Sequence, residues 1–340
     1  MNDHGDIRRV LVTGGTGFIG RRLVECLTRA NLNVTCLVRE SSDTSRLDPF
    51  APQIVTGDLQ QIDSIRDAFE GIDAVFHLAG STKELRRADF DKINVDGARN
   101  VAAACSAMTS PPIMLHVSSL AAAGASKPGK PRVEEDPNAP VSDYGKSKLA
   151  GEEAIRSFAN QCPISIVRPP IVLGPGDHDG FDMYRGIDRW GVHLVPGYVD
   201  HQFSVIGADD LCDCLLHVAR FGQRLTSHPF CDGVYYATLP EQPTYAELGH
   251  MIAQSLGRKR ARILRIPHHT LRLVAGGNQF ISKLRGKPHI LNLDKAREAA
   301  AGAWLCSSEK LERETGMRFN TTLQQRIDEA VAWYREHGWL

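Results

Sequence analysis

The sequence predicts an α/β protein built on a doubly wound parallel sheet, with a smaller C-terminal domain. Short apolar runs alternate with helical stretches over the first half of the chain. A glycine-rich turn joins the first strand to the first helix. The residues able to do chemistry fall at the carboxyl ends of successive strands, where sheets of this kind bind ligands.

The first strand is read at 8–13, where Val10, Leu11 and Val12 form an apolar run, as a strand buried on both faces would. Gly14, Gly17 and Gly20 follow in the order GxxGxxG, and Leu23, Val24 and Leu27 continue at helical spacing, giving a helix over 17–30. Strand, glycine turn and helix together make a dinucleotide cradle, the Rossmann arrangement. Gly14 permits the tight turn, Gly17 lets the backbone approach a pyrophosphate, and Gly20 lets the helix pack close to the sheet. The helix N-terminus offers free N–H groups and a positive dipole end to the phosphates.

Further strands are read at 33–39, 53–57, 73–79, 113–118 and 163–168, with helices at 62–70, 87–108 and 143–160. The Pro-, Gly- and charge-rich stretch 124–143 reads as a surface loop. From residue 169 the chain leaves the regular alternation. The dinucleotide-binding domain is therefore placed at 1–170, with a return at 203–239, and the smaller domain at 171–202 and 240–340. Within the latter, 257–267 reads as a half-exposed strand carrying five cations. The apolar stretch 267–288, interrupted by Gly276-Gly277 and rimmed with cations, reads as a packed helix pair, with a lid or a membrane-surface contact as alternatives. The end of the chain, from 323, reads as an amphipathic closing helix with Trp333 and Trp339 as packing residues.

Composition excludes several classes. Lys plus Arg and Asp plus Glu balance at 40 each, which leaves no overall electrostatic footprint for nucleic acid or an anionic membrane. No apolar run approaches the ~18 residues of a transmembrane helix, and MNDHGDIRR lacks the apolar core of a signal peptide. The eight cysteines include Cys212 and Cys214, whose spacing suits neither zinc nor a redox pair. They read as reduced core thiols of a cytoplasmic protein. The histidines show no paired ligand spacing, so no metal site is expected.

Tyr144 and Lys148 stand four residues apart in SDYGKSKLAGEEA, on one face of a helix. A free phenol has a pKa of about 10. An adjacent ammonium favours the phenolate, which makes an acid/base group usable at neutral pH. With this pair, the GxxGxxG turn, Asp58-Leu59 after the third strand, His77-Leu78-Ala79-Gly80 at the end of the fourth, Asn94, Ser118-Ser119 and Arg168-Pro169-Pro170, the chain resembles the extended branch of the short-chain dehydrogenase/reductase superfamily. The match runs in order over about 8–175 and again at 203–211. Within that branch it resembles the dihydroflavonol-reductase and 3β-hydroxysteroid-dehydrogenase-like groups.

The resemblance implies that Tyr144 exchanges a proton with a carbonyl oxygen or alcohol. Lys148 tunes the phenol and binds the nicotinamide ribose, Ser119 aligns the carbonyl, and Asn94 supports the site. Ser119 is preferred to Ser118 because it stands five residues before Gly124. The implied cofactor contacts are Gly14, Thr16, Gly17, Phe18, Ile19, Gly20, Arg39, Asp58, Leu59, Leu78, Ala79, Gly80, Tyr144, Lys148 and Pro170. The second strand ends in Arg39, and a guanidinium suits a 2′-phosphate, which favours NADP over NAD; the neighbouring Glu40 is the contrary sign. The smaller domain would bind a small-molecule substrate, and a homodimer is compatible with the pattern. The expected activity is NAD(P)-dependent reduction of a carbonyl, or oxidation of the alcohol, in a small apolar or aromatic molecule. A nucleotide-sugar epimerase or dehydratase on the same fold is the alternative. It is disfavoured by Leu120-Ala121-Ala122-Ala123 where dehydratases carry an acidic pair, and by His201-Gln202 where epimerases carry an Arg. A relative that only binds cofactor is disfavoured by the intact Ser119, Tyr144 and Lys148.

Overall fold

The first strand, β1 (Arg9–Thr13), has both edges paired inside the sheet and both faces covered by helices. Val10 and Val12 enter one core layer and Leu11 the other, following the strand period of two. The structure is a computed structural model describing residues 7–226, 231–286 and 292–340. After β1 come β2 (Asn33–Val38), β3 (Gln53–Thr56), β4 (Ala74–His77), β5 (Ile113–Val117), β6 (Ile164–Arg168), β7 (Ile171–Leu173), β8 (Val192–Pro196), β9 (Val205–Gly207), β10 (Val234–Tyr236) and β11 (Arg262–Ile266). The main sheet has the order β10-β6-β5-β4-β1-β2-β3, and its neighbouring strands run parallel. The chain winds outward from β1 in both directions, so the order reverses between β1 and β4 and opens a crevice there.

The helices are α1 (Phe18–Arg29), α2 (Arg87–Asp91), α3 (Gly97–Ser106), α4 (Leu120–Ala123), α5 (Asp143–Arg156), α6 (His178–Trp190), α7 (Ala208–Phe221), α8 (Tyr245–Ser255), α9 (His268–Arg285), α10 (Leu293–Ala300), α11 (Glu309–Thr315) and α12 (Leu323–Glu336). Leu23 and Leu27 of α1 and Leu211 and Leu215 of α7 cover one face of the sheet. Val101 and Cys105 of α3 and Ile155 of α5 cover the other. A third core joins Tyr184 and Ile187 of α6, Ile252 of α8 and Ile327 and Tyr334 of α12, with Leu173 of β7 and Val205 of β9. Trp333 and Trp339 pack edge-on to each other at its margin. Among the described residues no helix is long and apolar enough to cross a membrane.

Four expectations change. The 62–70 segment forms two 3₁₀ turns, Ile62–Ser64 and Arg66–Phe69, rather than one α-helix. Its Ser64 hydroxyl donates to the Gln61 carbonyl at 2.7 Å, a local bond that competes with helix propagation. The 87–108 helix is interrupted by a π turn at Lys92–Asp96, a form often found at functional sites. In the 203–239 return, only β10 rejoins the main sheet; β9 pairs with β7 in a separate ribbon. The 267–288 segment is a single helix as far as Arg285, running straight through Gly276-Gly277. Each glycine costs about 1 kcal/mol relative to Ala, and the packing of Leu271 and Ala275 against Ala296 and Leu293 offsets it. Residues 287 and 288 of that segment, 227–230 of the return, and residues 1–6 of the N-terminal MNDHGDIRR lie outside the described residues.

The end of β6 is locked to α5 by a buried ion pair. Arg168 donates to both carboxylate oxygens of Glu152, at 2.9 and 2.6 Å. The Ser118 hydroxyl also donates to Glu152, and Arg168 reaches Asn138 at 3.0 Å. Removing one partner of such a pair costs about 3–5 kcal/mol. Glu152→Gln is therefore expected to lower unfolding free energy by about that amount, read as a lower urea midpoint at unchanged slope; an unaltered midpoint would show that the pair holds nothing.

Candidate active site

A cavity of about 1260 Å³ opens at the carboxyl ends of β1, β4, β5 and β6. Its floor begins at the glycine turn. Gly14 has φ +76°, and a Cβ there would come within 2.7 Å of the Ala79 backbone nitrogen. A Cβ on Gly20 would lie 2.0 Å from the Gly14 carbonyl oxygen, so only glycine lets α1 start this close to β1. Helix α1 has Gly17 as its N-cap, no side-chain cap and no acidic residue in its first turn. Thr16, Gly17, Phe18, Ile19 and Gly20 line the cavity. An uncapped helix start against a surface cleared of Cβ atoms fits the pyrophosphate of a dinucleotide.

The other expected cofactor contacts divide. Leu78, Gly80 and Pro170 line the cavity with Tyr144 and Lys148, whereas Arg39, Asp58, Leu59 and Ala79 stand off its wall. Ala79 backs the Gly14 turn, its N–H donating to the Thr13 hydroxyl at 3.3 Å. The Asp58 carboxylate accepts from the Gln60 N–H at 3.0 Å, closing the turn after β3. Arg39 is exposed beyond β2, as is Glu40. Two guanidinium groups that carry no motif line the cavity instead, Arg21 and Arg46. Burial brings the Arg21 guanidinium below its ordinary range, with Arg22 and Arg46 pushing the same way. Its planar head lies 5.6 Å from the Trp333 ring centroid.

Tyr144 and Ser119 both face the cavity. Ser119 caps α4, accepting the Ala121 N–H at 3.1 Å. Ser118 also borders the cavity, but its hydroxyl is engaged with the buried Glu152 carboxylate. Asn94 sits buried in the π turn and not on the wall. Its amide accepts from the Ser81 N–H at 2.8 Å and donates to the Ser81 carbonyl at 3.0 Å and the Ser147 hydroxyl at 2.9 Å. It thereby ties the segment after β4 to α5.

The start of α5 is held from a distant part of the chain. Ser142 caps the helix by accepting the Gly145 N–H at 2.9 Å and donates to Glu298 of α10 at 2.6 Å. Asp294 of α10 accepts the N–H groups of Asp143 and Tyr144 at 2.7 and 3.0 Å. A carboxylate at this end complements the helix dipole. Lys295, between these two acids, pairs with Glu298 at 2.7 Å and places its ammonium 5.1 Å from the Tyr144 ring centroid.

The electrostatics differ from the expectation. Lys148 shares a helix face with Tyr144, but its ammonium donates to the Val117 carbonyl at 2.8 Å. Burial brings Lys148 down to about 8, against the opposing pull of Glu152. Burial also raises the Tyr144 phenol above its ordinary value; Lys295 and the Ser119 hydroxyl act downward and Glu298 upward. The cation acting on the phenol in this state is thus Lys295. Nothing in the local sequence LNLDKAREAA announces that role.

This fold is that of an extended short-chain dehydrogenase/reductase. The chain belongs to the NAD dependent epimerase/dehydratase family, whose model matches residues 10–228, and is an NAD(P)-dependent enzyme of that type. It is similar to a ceramide reductase of Caulobacter vibrioides, 30% identical over 97% of this chain and 96% of that protein. It is also similar to sterol demethylase protein B of Methylococcus capsulatus, 27% identical over 97% of this chain and 99% of that protein. In fold it resembles the dTDP-glucose 4,6-dehydratase DesIV of Streptomyces venezuelae, solved with NAD and TYD bound, at TM-score 0.77 and 21% identity over 97% and 98% of the two chains.

The lowered Lys148 pKa has a sign that can be checked. Between its folded value of about 8 and the ordinary lysine value of about 10.4, the unfolded chain holds a proton that the folded chain lacks. Stability contributed by this group therefore rises with pH across that window. The difference in unfolding free energy between the unmodified protein and Lys148→Met is expected to grow from pH 8 to pH 10 in urea titrations. A flat difference would place the Lys148 pKa at its ordinary value.

Proposed function

We propose that this enzyme reduces the carbonyl of a small apolar or aromatic molecule, or oxidises the corresponding alcohol, with NADP(H) as hydride carrier. The observation that carries this reading is Tyr144 on the cavity wall beside Ser119, followed by Leu120, Ala121, Ala122 and Ala123, all buried. A proton donor and a hydroxyl to hold a carbonyl oxygen are present. The acidic pair of a sugar dehydratase is not.

A bound nicotinamide dinucleotide supplies the hydride in reduction and accepts it in oxidation. The chain does the rest. The Gly14–Gly20 turn and the start of α1 bind the pyrophosphate. Ser119 orients the carbonyl oxygen and donates to the negative charge that grows on it. Tyr144, kept protonated by burial, gives its proton to that oxygen, and takes it back in the oxidative direction. Lys148 would bond the ribose on the same side, and Lys295, 5.1 Å from the ring centroid, supplies positive charge to the phenolate that results. The wall beyond Tyr144 includes Leu173, Met183, Val195, Leu248 and Trp304, which suits an apolar substrate. Whole-length similarity to proteins named for a ceramide and a sterol supports the same class.

Tyr144→Phe is expected to lower turnover by at least about 10²-fold while leaving cofactor affinity nearly unchanged; near-normal turnover would end this mechanism. The substrate class is read with a panel of aromatic and alicyclic ketones, a β-ketoester and UDP- and dTDP-sugars, following cofactor absorbance and products together. Turnover of a nucleotide-sugar with no activity on any ketone would replace this reading with the epimerase/dehydratase one.

NADP is favoured by two guanidinium groups suited to a 2′-phosphate, Arg46 on the cavity wall and Arg39, exposed just past β2 and off that wall. Arg39→Asp and Arg46→Ala should each shift the NADPH-to-NADH affinity ratio toward NADH, Arg39→Asp by about tenfold or more. A tenfold preference for NADH in the unmodified protein would reverse the assignment.

A further inference from the structure

Helix α9 has two apolar faces, and among the described residues only one of them is covered. Leu271, Ala275 and Ser282 are buried, the first two against Ala296 and Leu293. On the other side Leu273, Phe280 and Leu284 are 76%, 66% and 74% exposed. They recur at i, i+7 and i+11, a single stripe on a helix that turns roughly 100° per residue. Val274 and Ile281 lie alongside, also exposed. An apolar stripe of this extent on a surface helix marks an interaction site.

The surrounding charge indicates what covers it. The chain as a whole is balanced, but no Asp or Glu occurs between Glu247 and Asp294, a span that holds nine Lys and Arg. Arg272, Lys283 and Arg285 of α9 are exposed, and at the same angular increment they fall on the two flanks of the stripe. The preceding strand continues the pattern: Leu264 of β11 and its register partner Leu194 of β8 are both exposed. An amphipathic helix with an apolar face, cationic flanks and no acidic residue is the form that lies in the headgroup region of a negatively charged bilayer.

We propose that α9 docks this enzyme on an anionic phospholipid bilayer, with the Leu273–Phe280–Leu284 stripe entering the headgroup boundary and Arg272, Lys283 and Arg285 meeting lipid phosphates. The docking helix also borders the active site, since Leu271 of α9 lines the Tyr144 cavity, as does the exposed Val199. A molecule dissolved in the bilayer would then reach the cavity without crossing water. This goes beyond the proposed reaction, and its test requires no turnover.

The full chain is floated with vesicles of phosphatidylcholine alone and of equal parts phosphatidylcholine and phosphatidylglycerol. Binding to the anionic vesicles is expected, at least about tenfold stronger than to the neutral ones, and weakened by high salt. Two variants separate the terms: Leu273→Glu with Phe280→Glu and Leu284→Glu, and Arg272→Glu with Lys283→Glu and Arg285→Glu. Each should lose anionic-vesicle binding by about tenfold or more with an unchanged melting curve, because the altered side chains are exposed. Phe280→Ser alone, with a smaller loss, replaces the first variant should it misfold. Failure of the unmodified protein to bind anionic vesicles would overturn the proposal, as would binding that the variants retain. So would a concentration-dependent dimer, seen by sedimentation and lost in the first variant, in a protein that ignores vesicles; the stripe would then belong to a second copy of this chain.

Discussion

The bidentate ion pair between Glu152 and Arg168 sets the geometry on which the site depends. Both groups are buried, and a buried charge is tolerated only when its hydrogen-bonding capacity is met. Ser118, Asn138 and the Tyr236 hydroxyl complete that shell. The pair therefore admits one arrangement of three elements, the ends of β5 and β6 and the middle of α5. Tyr144, Lys148 and Glu152 follow each other at four-residue intervals on α5. Fixing the rotation of the helix at Glu152 fixes which way the other two face. Gly151 beside it allows α5 to press against the π turn, where a Cβ would lie 2.4 Å from the Asn94 carbonyl oxygen.

The same physics of helix ends is used in opposite ways at the two helices that meet in the cavity. At α1 the first-turn N–H groups have no side-chain cap and are left for phosphates. At α5 they are consumed by Ser142 and Asp294. An anionic ligand is thus directed to one helix start and not the other, although they line the same cavity. The clamp at α5 comes from α10, about 150 residues away, so closing the site requires the smaller part of the chain to be seated. The clamp also brings Lys295 beside the phenol and leaves Lys148 free to bond the sheet at Val117.

The smaller part of the chain faces two environments. Its inner surface supplies apolar wall and the Lys295–Glu298 pair to the cavity. Its outer surface carries the uncovered stripe of α9. An interior that suits apolar molecules and an exterior that suits a bilayer are consistent demands on one segment, and α9 meets both through opposite faces.

The residues near each other in sequence carried most of the fold. Apolar runs placed the main-sheet strands β1 to β6 to within about two residues, and the glycine turn located the phosphate cradle, because a strand's burial and a turn's steric needs are local properties. The Tyr144–Lys148 spacing likewise follows from helix geometry alone. What local pattern missed depends on contacts made elsewhere. The Asn94 π turn forms where α5 packs against it, and 62–70 gives up a helix to a serine hydroxyl. Arg21 and Arg46 reach the cavity while Arg39 does not, because wall position depends on how α1 and the turn after β2 sit on the sheet. Above all, the electrostatics of the Tyr144 phenol are set by burial, then by Lys295 and Glu298. Electrostatic shifts are governed by distance in space and by burial, and neither can be read from four-residue spacing when the deciding charges arrive from the far end of the chain.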